Sequence, residues 1–144
     1  MSTPTTTSTP GHLLLFRGNN WHQGLSAEQI QQIMTRWYAW FDRLTREGKL
    51  KAGQPLAIEG RVVAATATGA FSVTDGPFAE SKEAVGGYFL LAVDDIDEAV
   101  AIAQQCPALP HGLQIEVRPI AGMCAVQSQL NAAREQEALV GASA

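Results

Sequence analysis

The sequence predicts an α+β domain in which two helices cover one face of a mostly antiparallel sheet. A long amphipathic stripe between Ile30 and Leu44 is typical of a helix that lies across a sheet. Two strongly apolar runs, at 12–17 and 88–93, are typical of buried strands. The predicted elements follow the order strand, helix, strands, strand, helix, strand, and 144 residues suffice for one domain of ordinary size.

The chain begins with a segment that is unsuited to a folded core. Residues 2–10 are all Ser, Thr or Pro, so they cannot bury apolar surface, and residues 1–10 are predicted to form a disordered tail. The domain is predicted over 11–121. Its first strand is the run His12 to Arg17, which is apolar enough to be covered on both faces or nearly so, and Gly18 ends it.

The first helix has clear signals at both ends. Ser26 and Gln29 have the spacing of a capping box, and Gly48 supplies a left-handed stop. The stripe between them is strongly aromatic and consists of Ile30, Ile33, Met34, Trp37, Trp40, Phe41 and Leu44. Its spacing favours core packing, and the alternative is that Trp37, Trp40 and Phe41 wall an aromatic pocket between helix and sheet.

The segment from Leu50 to Asp75 is predicted to be β-structure. Leu50–Leu56 is typical of an edge strand, because Pro55 has no N–H to donate to a central ladder. Turn signals at 59–60 and 68–69 bound two further strands, at 61–67 and 70–74, which form an extra β-hairpin. Gly86 and Gly87 then introduce the apolar strand 88–93.

A second helix, one strand and a tail complete the chain. Asp94 or Asp95 caps the helix, which ends at Cys106. The last strand is predicted over 113–120, with Ile115 and Val117 on one face. Residues 122–144 are a C-terminal tail in which 127–139 form a possible short helix.

This order of elements predicts a ferredoxin-like βαββαβ fold with an inserted hairpin. Helices on one side leave the other face of the sheet bare. If side chains such as Leu13, Leu15 and Phe89 lie there, a second copy of the chain would cover them most simply. The sequence therefore predicts a homodimer with the two sheets face to face.

Composition excludes several classes of protein. Ten basic and 14 acidic residues give a net charge of −4, which argues against nucleic acid as a partner. No apolar run approaches the ~20 residues of a membrane span, and the first residues resemble no secretion signal, so we expect a cytoplasmic protein without a membrane partner.

The two cysteines cannot build a disulfide framework. Cys-x-x-Cys, His-x-x-x-His and phosphate-loop patterns are missing, so neither metal nor cofactor is predicted.

Four ordered segments resemble one family. The segment 73–93, which contains Asp75-Gly76-Pro77-Phe78, is similar to the signature of the YCII-related family in its Asp-Gly-Pro-Phe (DGPF) subgroup, and segments 14–18, 97–99 and 115–120 agree with it. The resemblance implies a dimeric α/β-barrel. It also implies enzymatic chemistry, since related proteins carry a His–Asp pair in a cleft and some catalyse eliminations on small ring compounds. A link to extracytoplasmic-function sigma factors is implied as well.

Asp75 is the first candidate for a catalytic residue. It ends a strand before Gly76 and Pro77, which would aim its carboxylate rigidly, as a general base or as the partner of a histidine. The alternative is structural, because Asp often caps the amides of a turn. The resemblance places Asp75 at the position suspected of function in the family.

His22 and His111 are the candidate partners of Asp75. Both occupy predicted loops and would titrate near neutrality, as proton transfer requires, but each has the alternative role of an ordinary loop histidine.

Three further residues are candidates for binding a ligand. Arg17, at the end of the first strand, is suited to hold a carboxylate or phenolate, or else forms an ion pair with Glu80, Glu83 or Glu116. Glu80 and Lys82 either line the same opening or are solvated.

Two functions therefore remain open. One is an enzyme that carries out a cofactor-independent elimination or isomerisation on a small organic ligand by proton transfer. The other is a non-catalytic ligand-binding or regulatory protein linked to a sigma factor.

Overall fold

A computed structural model describes residues 11–18, 20–76 and 84–142 of the chain. The predicted tail at 1–10 and the candidate residues Glu80 and Lys82 lie outside the described residues. The elements, in chain order, are β1 His12–Arg17, α1 Ala27–Arg46, β2 Leu50–Pro55, β3 Arg61–Ala65, β4 Phe71–Asp75, β5 Val85–Leu91, α2 Ile96–Ala103, a short 3₁₀ helix Leu109–His111, β6 Gln114–Pro119 and α3 Ala125–Ala142.

Four strands form the main sheet in the order β2-β5-β1-β6, and every neighbouring pair is antiparallel. Together with α1 and α2 this is the ferredoxin-like βαββαβ arrangement, so the predicted α+β fold is confirmed. β3 and β4 pair with each other in a separate two-stranded hairpin inserted between β2 and β5. β2 lies at the edge of the sheet, as Pro55 predicts.

Helix α1 begins and ends where local chemistry predicts. The Ser26 side chain accepts a hydrogen bond from the backbone N–H of Gln29, and the Gln29 side chain accepts one from the backbone N–H of Ser26. Gly48 follows the helix with a φ of 73°, a left-handed conformation that glycine adopts at little cost. Both capping groups of the predicted helix are thus confirmed.

The core lies between the main sheet and the two helices. Leu14, Leu44 and Leu91 are fully buried in it, and Phe16 and Phe89 pack edge to face with ring centroids 4.8 Å apart. His12 is also buried, and its Nδ1–H donates to the carbonyl of Val93 over 2.8 Å. This bond satisfies the buried imidazole, which gives it a structural role.

The other face of the main sheet carries half-buried apolar side chains. Alternation along β1 and β5 places Leu13, Leu15, Tyr88 and Leu90 on this face, which we call the open face. Phe89 was expected among them, and that expectation is wrong. Phe89 pairs with Leu14 across the strands and is buried on the helix-covered face.

The hairpin and α3 extend away from the two-layer core. Phe71 and Val63 in the hairpin are 81% and 67% exposed. The described side chains of α3 are exposed except that of Asn131, which is half-buried. The helix covers more residues than the predicted 127–139, because nothing between Ala125 and Leu139 breaks it. Within the described ranges, no helix has the length and apolar character needed to cross a membrane.

Candidate functional site

A cavity of about 360 Å³ opens between α1 and the main sheet. We call it the aromatic pocket. The residues that line it come from β1, the loop after β1, α1, β2, β5 and the position just before β6: Phe16, Gly18, Trp21, Met34, Trp37, Tyr38, Phe41, Gly53, Gln54, Pro55, Gly86, Gly87, Tyr88, Phe89 and Leu113. The pocket thus lies where the elements of the ferredoxin-like unit converge.

One wall of the pocket is a group of aromatic rings. The Trp21 ring lies nearly parallel to that of Trp37, at an interplanar angle of 16° and a centroid distance of 6.5 Å. Trp37 in turn contacts Phe16, with centroids 5.1 Å apart, so the wall is braced from the core. Such stacked and tilted rings form a stiff apolar surface that suits a flat ligand.

Glycines keep the sheet side of the pocket open. A Cβ atom on Gly53 would lie 2.8 Å from Cδ1 of Phe89 and 3.2 Å from Cε2 of Phe41. A Cβ on Gly87 would lie 3.0 Å from the carbonyl oxygen of Gln54. Larger residues at these positions would therefore collide with the pocket wall or with the neighbouring strand.

The sheet is also irregular at this point. In the register between β1 and β5, Phe16 pairs with Gly87 and Arg17 pairs with Val85, so Gly86 is an additional residue in a bulge. Bulges locally twist and bend a strand and are common beside functional sites. Here the bulge lies in the lining of the aromatic pocket.

The chemistry of the lining favours an apolar ligand over a charged one. The phenol of Tyr38 is a polar side chain of its helix wall, whereas strand alternation turns the side chains of Gln54 and Tyr88 to the open face. No carboxylate, imidazole or cation belongs to the described lining. The site is therefore suited to a ligand with a flat apolar body and few polar groups.

Sequence comparison shows the family to which the chain belongs. The profile of the YCII-related domain matches residues 10–123, which include β1 through β6. The chain belongs to the YCII-related family. It is also 34% identical to an uncharacterized protein of Rhizobium meliloti (strain 1021) over 100 residues, which are 67% of this chain and 79% of the relative.

The sequence offered three aromatic residues as an alternative pocket wall. Two of them line the aromatic pocket of this YCII-related domain. They are Trp37 and Phe41, whereas Trp40 is 3% exposed and packs in the core. Sequence reasoning missed Trp21 and the role of the glycines. The pair Gly86 and Gly87 at the start of an apolar strand was the available signal, since glycine within a strand often marks a bulge.

The structure places Asp75 at the end of β4, outside the aromatic pocket. Its side chain is 79% exposed and its Oδ1 lies 3.1 Å from Nη1 of Arg61 on the adjoining strand. The carboxylate thus forms a surface ion pair across the hairpin, at the position where Arg61 and Asp75 face each other.

The two candidate histidines lie on separate loops and are both exposed. The ring of His22 packs edge to face against Trp21, with centroids 5.5 Å apart, and so lies next to the pocket wall. His111 ends the 3₁₀ helix before β6. Among the described contacts, neither imidazole bonds to Asp75.

Arg17 points to the open face of the sheet. Its Nη1 lies 3.4 Å from Oε1 of Glu116, and this contact is one of the alternative ion pairs that the sequence predicts for Arg17. Of the described candidates for catalysis and binding, His22 is therefore the one with a direct contact to a residue of the aromatic pocket.

Proposed function

We propose that this YCII-related protein binds a small, flat, largely apolar organic molecule in the aromatic pocket. The observation that carries the proposal is the cavity itself, which has about 360 Å³ of space between braced aromatic rings and glycine backbone. A cavity of about 150 Å³ suffices for benzene. The aromatic pocket therefore has room for a ligand of one or two rings.

The phenol of Tyr38 would orient such a ligand. Tyr38 is 63% exposed and belongs to the lining, which places it at the solvent side of the cavity. Its phenol would meet a hydroxyl or carbonyl on the ligand, while the rings of Trp37 and Trp21 contact the faces of the ligand. A ring compound with one or two oxygen substituents fits this arrangement.

Calorimetric titration with 1-naphthol tests the proposal. We expect saturable binding to one site per chain, lost in Met34→Trp, which fills the cavity from α1. The matched control is Gln32→Trp, which places the same ring on the exposed side of α1. Absence of saturable binding by the wild-type protein, or equal binding by both variants, would reject the aromatic pocket as a ligand site.

The catalytic form of the proposal is proton transfer leading to elimination or isomerisation, without a cofactor. Asp75 and a histidine, His22 or His111, are the proposed acid–base groups, with Arg17, Glu80 and Lys82 as proposed ligand contacts. Membership of the YCII-related family and the contact of His22 with the pocket residue Trp21 support it.

Solvent isotope exchange tests proton transfer independently of binding. A bound ring compound with an acidic C–H should exchange that hydrogen for deuterium in D₂O, and the exchange should slow in Asp75→Asn and His22→Gln. Binding without exchange would support the function of a ligand-binding protein and would reject the proposed enzymatic function.

The regulatory alternative is a non-catalytic member of the DGPF subgroup linked to an extracytoplasmic-function sigma factor, which requires a cytoplasmic location. Its support is the sequence Asp75-Gly76-Pro77-Phe78. Co-purification of a sigma factor with the tagged protein, unaffected by Asp75→Ala, would favour this function.

We further propose that the protein is a homodimer paired through the open face. Leu13, Leu15, Tyr88 and Leu90 lie together there, and no described helix covers them. Burial against a second copy would remove their apolar surface from water.

A further inference from the structure

A second cavity lies on the other side of α1 and differs from the aromatic pocket in chemistry. It has a volume of about 430 Å³ and is lined by Arg36, Ala39, Trp40, Arg43, Arg46, Gln105 and Pro107. We call it the arginine cavity. It is bounded by α1 and by the segment that follows α2, so both walls belong to the folded core unit.

Helical spacing brings the three arginines to one face. Arg43 is seven residues after Arg36 and Arg46 three residues after Arg43, so all project from the same side of α1. At 1.5 Å of rise per residue they span about 15 Å along the helix. Met34, Trp37 and Phe41, which line the aromatic pocket, occupy the other side of α1.

The positive charge in the arginine cavity is incompletely neutralised. No carboxylate belongs to its described lining. Arg43 reaches Glu47 over 3.9 Å and donates to the side chain of Gln105, but Glu47 is shared with Lys49 at 3.7 Å. Arg46 donates weakly to the backbone carbonyl of Asp42, over 3.4 Å, and Arg36 forms no described ion pair.

One lining residue of the arginine cavity carries a buried donor. Trp40 is 3% exposed and contributes to the cavity, and its indole Nε1–H has no acceptor among the described residues. A buried donor without a partner costs about 1–3 kcal/mol. The ring of Trp40 contacts those of Phe16 and Phe89 in the core, so the charge of the arginines, and not this donor, supports a ligand site here.

We propose that the arginine cavity is a second binding site, which takes a small ligand with at least two anionic oxygen groups, such as a diphosphate or a polycarboxylate. Guanidinium groups bind such groups through paired hydrogen bonds. A single phosphate can engage Arg43 and Arg46, which are about one turn apart, whereas two linked anionic groups can also reach toward Arg36, two turns before Arg43. The site is independent of the ligand proposed for the aromatic pocket.

Titration calorimetry with pyrophosphate, citrate and inorganic phosphate at low ionic strength tests this site. We expect pyrophosphate or citrate to bind to one site per chain, at least about tenfold more tightly than phosphate. The double variant Arg36→Gln/Arg46→Gln should weaken that binding at least about tenfold, because it removes two guanidinium groups that form no ion pair with any described residue.

The matched control removes the same charge elsewhere. Lys51→Gln/Arg134→Gln replaces two exposed cations on β2 and α3 and should leave pyrophosphate binding unchanged. Equal weakening in both double variants would show attraction by net charge alone and would overturn the proposal. Absence of saturable binding would do the same, and so would tighter binding of a hexaglutamate peptide, which would instead indicate a protein partner.

Discussion

Gly53 shows how one residue preserves the aromatic pocket. A Cβ at this position would lie within 2.8 Å of Phe89 and 3.2 Å of Phe41, so Gly53→Ala forces rings of the pocket wall to move. We expect the variant to lose about 1–3 kcal/mol of unfolding free energy, as overpacked cores do, and to bind 1-naphthol more weakly. Urea unfolding and calorimetry measure the two effects.

The control for Gly53 is another glycine in open space. A Cβ on Gly122 meets nothing within 4 Å, so Gly122→Ala should change stability by no more than about 1 kcal/mol. Comparable losses in both variants would mean that the crowding at Gly53 has no energetic consequence.

The two cysteines should differ in reactivity. Burial raises the pKa of the Cys106 thiol to about 11, against backbone hydrogen bonds that lower it in part. Cys124 is exposed, and hydrogen bonds from the backbone of Gln127 and Val126 lower the pKa of its thiol. Because the thiolate is the reactive form, we expect a maleimide at pH 8 to label the native chain once, at Cys124.

Mass spectrometry checks this difference. The label should be lost in Cys124→Ser and should reach two per chain in denaturant. Labelling of Cys106 in the native protein at the rate of Cys124 would contradict the burial of this thiol in the core.

At the scale of the element, α1 depends on its capping box. Ser26 Oγ accepts from the N–H of Gln29 over 3.1 Å, and Gln29 Oε1 accepts from the N–H of Ser26 over 2.8 Å. Ser26→Ala removes the first bond, and we expect a loss of about 1 kcal/mol in unfolding free energy. Ser128→Ala, in the exposed part of α3, should stay within about 0.5 kcal/mol. Equal effects in denaturant unfolding would contradict the role of the cap.

Elements with local signals could be predicted from the sequence. The cap at Ser26, the stop at Gly48 and the edge position forced by Pro55 each depend on neighbouring residues, and all three are confirmed. The face of Phe89 could not be predicted in this way. It depends on the register of β5 against β1, and the bulge at Gly86 interrupts the alternation from which a face is read.

The candidate site was harder to predict for the same reason. The aromatic pocket requires Gly53 on β2 to face Phe89 on β5 and α1 to lie above both, which are contacts between distant parts of the chain. Helical spacing alone therefore could not separate Trp40, which is core, from Trp37 and Phe41, which line the cavity.

At the scale of the whole molecule, the open face determines the oligomeric state that we propose. Leu13→Glu places a carboxylate among the apolar residues of this face, opposite Arg118, so one protomer can accommodate it. We expect the wild-type protein to sediment as a dimer and the variant at the monomer mass of 15.4 kDa. The control is Val100→Glu on α2, across the sheet from the open face, which should remain dimeric.

A wild-type protein that sediments near 15.4 kDa at micromolar concentration would reject the face-to-face dimer. It would leave the aromatic pocket intact, because the described residues that line that pocket all belong to one protomer.

The indole resonances of the tryptophans test the aromatic pocket most directly. Trp21 and Trp37 line it and Trp40 does not, so the three indole N–H signals in a ¹H–¹⁵N spectrum, assigned with Trp→Phe variants, report on its occupancy. On titration with 1-naphthol we predict saturable shifts of the Trp21 and Trp37 signals that exceed any shift of Trp40. Signals that stay in place up to the solubility limit of 1-naphthol, or a shift greatest at Trp40, would contradict a ligand site between α1 and the sheet.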